Sequence, residues 1–199
     1  MLTKLPLSSL RPHELSIKDH VDELVSSIRA HGALQRPLVV EADSLVVLDG
    51  THRLAALRQL GASRVPVVLV RYDHVRLEGW VRVYEMEALP DLRRIAEVDE
   101  VRRLPSGATL VKLGGGADAY YDLVRLEDIG HRLLKAVTWR TALGLGGDLL
   151  LVLPPKPTKD LVLRAAGTGR LLPPRSTRHL TEAKKVRLRT PLSALIRGR

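Results

Sequence analysis

VVLDGTHRLAALRQLGA, residues Val46–Ala62, decides how this chain is read. Val46, Val47 and Leu48 form an apolar extended run, which stops at Asp49-Gly50. Thr51 then opens a segment in which Leu54, Ala55 and Leu57 turn inward at helical spacing before Gly61 closes it. A strand that passes directly into a helix leaves the first backbone N–H groups of that helix without internal partners, at the positive end of its dipole. Such a corner is a ready anion site. Gly50 lets the backbone approach a ligand closely, Thr51 supplies a hydroxyl near the N-cap, and Arg53 can make forked, charge-assisted bonds to phosphate oxygens. Asp49 faces the same corner and would repel a phosphate unless a divalent cation lay between them. Mg²⁺ typically binds one or two carboxylates plus phosphate oxygens, so the combination points to a magnesium nucleotide. A plain Asp-Gly turn with a capping Thr is the bland reading of the same residues.

Working outward, SSLRPHE reads as an extended segment, because Pro12 biases Arg11 away from the helical region, and it displays His13 and Glu14 on a turn. Val21, Leu24, Val25 and Ile28 predict an amphipathic helix over 19–30 that stops at Gly32. PLVVEADSLVVLDG predicts two strands around a turn at residues 42–44, and VPVVLVRY, residues 65–72, a further buried strand. Beyond Tyr72, RLEGWVRVYEM predicts a strand, residues 90–103 a charged surface helix, and LPSGATLVKLGGGADAYYDLV a hairpin turning at Gly114–Gly116. No Lys-Ser/Thr pair follows those glycines, which separates them from a phosphate loop. Residues 131–145 are expected to be helical, 149–153 a short buried strand, and the basic tail from Lys184 to Arg199 a solvated edge.

The 199 residues, 45% hydrophobic and 27% charged, suit a folded chain with one substantial core or two small lobes. No apolar run approaches the ~20 residues of a membrane span. The first residues carry no secretory signal pattern, so a cytoplasmic address is expected. With no cysteine, disulfides, thiolate metal sites and cysteine nucleophiles are excluded. A net charge of +10 implies a polyanionic partner without choosing among nucleic acid, membrane and phosphate-bearing metabolites. Aromatic content of 3%, with no Phe, argues against base-stacking platforms.

From Leu7 to Tyr72, the L-x-P-H-E element, the amphipathic helix, PLVV and LDGTHRLAALRQLG resemble the ParB/sulfiredoxin-like fold. Within that superfamily the chain most resembles the free L-serine kinases, with weaker similarity through GWVRV and PPRSTRHL. The resemblance implies an α/β (α+β type) protein: a ParB/sulfiredoxin-like nucleotide-binding lobe over residues 1–75, a mixed α/β lobe over 76–199, and an active-site cleft between them. It also implies phosphorylation of free L-serine to O-phospho-L-serine, with ADP or ATP as donor. Sulfiredoxins carry a cysteine where this chain has Thr51, which excludes their chemistry. ParB partition proteins resemble the fold but continue into a helix-turn-helix domain, which the downstream half here does not predict. A non-catalytic, nucleotide-dependent DNA-binding regulator is the alternative, and nucleic acid is the less favoured partner despite the charge.

Glu14 matches the catalytic glutamate of the family and is assigned as general base, in a cleft expected to raise its pKa. Asp49 is assigned to Mg²⁺ and the transferring phosphoryl group, and Gly50, Thr51, His52 and Arg53 to phosphate. His52 is a further catalytic candidate, either orienting serine or stabilising phosphoryl charge. Trp80 resembles the family tryptophan over the substrate pocket, and Ser176, Thr177, Arg178 and His179 suit a carboxylate or phosphate. For His13 a structural hydrogen bond and a ligand contact are both open, and Asp73 reads chiefly as a turn acid with a second metal or substrate contact as the alternative.

Overall fold

β-branched and leucine residues in short runs, punctuated by Gly and Pro, build sheets here whose central strands are apolar on both faces. The computed structural model describes residues 1–196; the end of the basic tail, residues 197–199, lies outside the described residues. The chain divides into two units. The first opens with β1 (Leu2–Pro6), α1 (Lys18–His31), β2 (Ala33–Leu34), β3 (Leu38–Glu41), β4 (Val47–Asp49), α2 (Thr51–Gln59) and β5 (Arg64–Val70). Its sheet has the order β1-β5-β3-β4, with β3 and β5 parallel and both outer pairings antiparallel. β4, which carries Asp49, is thus an edge strand. Val21, Val25 and Ile28 of α1 and Leu54 and Leu57 of α2 pack on Leu38, Val40, Val47, Val65 and Val67 to make the core. α1 stops at Gly32, whose φ of 63° and N–H bond to the Arg29 carbonyl form a left-handed cap, as the sequence predicts.

After β6 (Arg76–Glu78) come β7 (Val81–Glu85), α3 (Leu89–Ile95), β8 (Val98–Arg103), β9 (Thr109–Leu113), α4 (Asp118–Asp128), β10 (Lys135–Val137), α5 (Trp139–Leu143) and β11 (Leu149–Leu153). In this second unit the sheet order is β10-β7-β11-β9-β8. Three expectations are corrected. The helix expected over 90–103 ends at Ile95, because Ala96 is extended and Val98–Arg103 pairs antiparallel with β9. Apolar residues three apart fitted a helix equally well. The Gly114–Gly116 run links β9 to α4 rather than turning a hairpin, since Ala119, Tyr120, Leu123 and Leu126 bury one helical face. Within 131–145 only Trp139–Leu143 is helical, capped by Thr138, while Lys135–Val137 pairs with β7.

The chain then returns to the first unit. α6 (Lys159–Thr168), which the sequence reading missed, buries Val162 against Val46, Leu48, Tyr72, Val75 and Leu77. β12 (Arg178–Leu180), β13 (Thr190–Pro191) and α7 (Leu192–Ile196) follow. Residues 159–174 and 179–196, assigned from the sequence to the second lobe, are therefore part of the first, and 175–178 part of the second. The tail is no solvated edge: β13 pairs with β2, Leu195 is fully buried in the core, and its carbonyl accepts the Ser63 N–H at 2.8 Å.

Candidate active site

Because β4 is an edge strand, its outward polar groups need partners from outside the sheet. The Pro-His-Glu segment supplies them. Arg11 forms a parallel bridge with Val46; its N–H bonds the Leu45 carbonyl at 3.1 Å and its carbonyl accepts the Val47 N–H at 2.9 Å. The pairing ends at this isolated bridge, and His13 carries the attachment on through its side chain at Val47, two positions before Asp49 on the same strand. Glu14 is held at its backbone by a bridge to Leu172, and its side chain is 13% exposed.

His13 is buried, with Nδ1 2.8 Å from the Val47 carbonyl and Nε2 3.8 Å from Glu14 Oε1. Burial pushes its pKa down to about 4, against the smaller opposing pull of the Val47 bond. The ring is therefore neutral near pH 7, its Nδ1–H donates to Val47, and its contact with Glu14 is not an ion pair. This is the structural member of the two readings the sequence left open. His179 does the same work one residue along: it hydrogen-bonds the Leu48 backbone, and its Nε2 accepts the Tyr72 hydroxyl at 2.8 Å. Burial, reinforced by His13 and Lys184, pushes its pKa down to about 3. Burial, aided by the charge of Glu41, pushes the Tyr72 phenol up, keeping it a donor. The rings of His13 and His179 meet edge to face at 5.2 Å.

At the strand end, Gly50 adopts φ 104° and begins α2 without a side-chain cap, which leaves the helix N-terminus open as the sequence requires. A Cβ there would lie 2.6 Å from Leu38 Cδ2 and 3.0 Å from Arg53 Nη2. Arg53 is fixed by the Pro37 carbonyl at 2.5 Å and by Asp49 Oδ2 at 2.5 Å. Asp49 Oδ1 meets Lys184 Nζ at 3.0 Å. Burial would raise the Asp49 pKa, but Arg53 and Lys184 together overcome it and hold the carboxyl below its ordinary value. Both Asp49 oxygens are thus taken by cations. Among the described residues no group of three His, Cys, Asp or Glu is placed to hold a metal. Asp73 pairs with Arg71 at 2.9 Å on an exposed turn, the structural reading expected of it.

The first 79 residues match the ParB N-terminal domain. A ParB-like protein of Sulfolobus acidocaldarius is 28% identical over 176 residues, 86% of this chain and 86% of that protein. An ATP-dependent L-serine kinase of Staphylothermus marinus is 23% identical over 239 residues, covering 96% of this chain and 90% of the kinase. A solved free serine kinase, a glutamate-to-alanine variant in complex with ADP, shares the fold at a TM-score of 0.77 and 20% identity, over 98% of this chain and 93% of its own. Over nearly its whole length this chain is similar to free L-serine kinases.

The structure gathers Glu14, Asp49, Gly50, Thr51, His52 and Arg53 in the first unit, with the His52 ring 5.3 Å from that of His20. His179 also belongs there, but 1% exposure and its two bonds make it a support for β4 rather than a surface for serine. Ser176 and Thr177, also proposed for substrate, are buried in the second unit. There Trp80 Nε1 donates to the Thr177 carbonyl at 2.9 Å, while Arg178 bonds Glu78 at 2.7 Å and lies 5.4 Å from the Trp80 ring centroid. Sequence reasoning missed Tyr72 and Lys184. A tyrosine closing an apolar strand hints that its hydroxyl has a partner; nothing in the Lys184 context distinguishes it from Lys185.

Proposed function

We propose that this chain phosphorylates free L-serine, drawing the phosphoryl group from ATP or ADP. The attachment of the His13–Glu14 segment to β4, the strand that ends in Asp49 beside a helix N-terminus without a side-chain cap and two cations on its carboxylate, is the observation that supports the reading. The α2 N–H groups and Arg53 bind the donor phosphates and neutralise charge that builds on the transferring group. Glu14 accepts the serine hydroxyl proton as the serine O–P bond forms and the donor P–O bond breaks, releasing ADP from ATP or AMP from ADP. His13 holds that carboxylate's segment against β4 and keeps its own proton on Nδ1. Trp80 and Arg178 are the groups proposed for the amino acid. Phosphoryl transfer needs little covalent help from the protein, so positioning and electrostatics carry most of the rate.

The test is O-phosphoserine formation, measured by mass spectrometry, from L-serine and Mg²⁺ with ATP or ADP in separate reactions. Product is expected, and the productive arm names the donor. Glu14→Gln, which keeps size and hydrogen bonding but cannot take a proton, should lower kcat by roughly 100-fold or more with nucleotide affinity retained. Absence of phosphoserine in both arms, from protein that binds nucleotide, would overturn serine as the acceptor.

A further inference from the structure

We propose that Lys184 is a phosphate-binding residue for the nucleotide donor, and that Asp49 is the counter-ion that positions Lys184 and Arg53 together rather than a ligand for metal. The inference rests on the donor reading above and deepens it. Each Asp49 oxygen has its own cation, Arg53 Nη2 on one and Lys184 Nζ on the other. One carboxylate between two cations leaves a net positive charge beside the open α2 N-terminus, suited to a polyanion.

An isolated surface lysine pair is worth little, because the long side chain loses rotamer freedom to hold it. Lys184 differs. Its backbone lies in a short 3-10 turn, Glu182–Lys185, whose N-cap Thr181 accepts the Ala183 N–H; beyond it, the Leu188 N–H bonds the Gln35 carbonyl at 3.2 Å. The turn is therefore capped at its start and anchored beyond its end. The Lys184 side chain is 34% exposed, and an ammonium that spends one donor on Asp49 has two left for phosphate oxygens. Arg53, braced by the Pro37 carbonyl, likewise has donors to spare. The adjacent Lys185 shows the contrast: it pairs with Glu182 on the same turn, both side chains in solvent.

The experiment is equilibrium binding of ATP, ADP and adenosine to the full chain, with Mg²⁺ and again in EDTA, for Lys184→Met, Lys184→Arg, Asp49→Asn and the neighbouring control Lys185→Met. Lys184→Met is expected to weaken ATP or ADP binding at least tenfold in both conditions while leaving adenosine unchanged. Lys184→Arg should recover most of the loss, and Lys185→Met should stay within about twofold. Asp49→Asn should weaken nucleotide binding in EDTA as well as in Mg²⁺; an effect confined to Mg²⁺ would make Asp49 a metal ligand and overturn the counter-ion role. Nucleotide binding in Lys184→Met indistinguishable from Lys185→Met overturns this proposal alone. Failure of the unsubstituted protein to bind either nucleotide overturns the donor reading and this proposal with it.

Discussion

His13 and His179 are uncharged supports for β4, and their cost appears only in acid. Both have folded-state pKa values, about 4 and about 3, below the ordinary 6.5 that the unfolded chain retains. Above pH ~6.5 neither state is protonated and the histidines do not alter stability with pH. As pH falls below that value the unfolded chain binds protons that the folded chain refuses, so stability drops until the folded values are reached. Asp49, depressed below its ordinary value, loses its contribution only as pH falls through its own lower pKa, beneath most of the histidine window. Urea unfolding between pH 7 and 4 should therefore show a loss on the order of 3 kcal/mol for each histidine, roughly 6 kcal/mol for the pair. His179→Gln should start less stable at pH 7 and fall less steeply; parallel curves would remove His179 as the cause. At this scale the sequence made Glu14 and the Asp49–Arg53 corner legible, because acid, glycine and arginine at a strand-to-helix junction have a local logic. It hid the Tyr72–His179 and Asp49–Lys184 partnerships, whose members lie 107 and 135 positions apart and share no spacing rule.

The strand-turn-helix of β4 and α2 depends on Gly50. Its φ of 104° strains any L side chain, and an added Cβ would strike Leu38 in the core and crowd the Arg53 guanidinium. Gly50→Ala should destabilise the fold by roughly 1–3 kcal/mol and weaken nucleotide binding together, because Leu38 and Arg53 must both shift. Thermal unfolding and nucleotide titration on one preparation check this; an unchanged affinity beside lowered stability would mean that Arg53 does not reach the phosphates. Between α1 and β5 the elements were legible, apart from the two-residue β2, because helix and strand periods there are unambiguous and bounded by Gly or Pro; β1 went unread. In the second unit the leucine and valine spacing served either period. Val98–Arg103 became a strand through pairing with β9, a long-range choice that local pattern does not record.

Across the whole molecule, 32 lysines and arginines stand against 22 acids, and no helix among the described residues is long and apolar enough to cross a membrane. A charge of +10 should give weak binding to duplex DNA at low salt through phosphate contacts alone. Fluorescence anisotropy should show that binding lost by about 200 mM salt, with no preference among sequences. Retained sequence preference would instead favour the regulator reading. The return of the chain to its first unit bears on how the protein is made. During synthesis, the segment matched by the ParB N-terminal domain leaves the ribosome before His179, Lys184 and Leu195 exist. Until these residues have been added, Tyr72 has no histidine acceptor, Asp49 lacks its lysine and the α1–α2 core lacks Leu195. A chain that stopped short of these residues would keep the matched domain and lack the lysine and histidine that hold Asp49 and Tyr72.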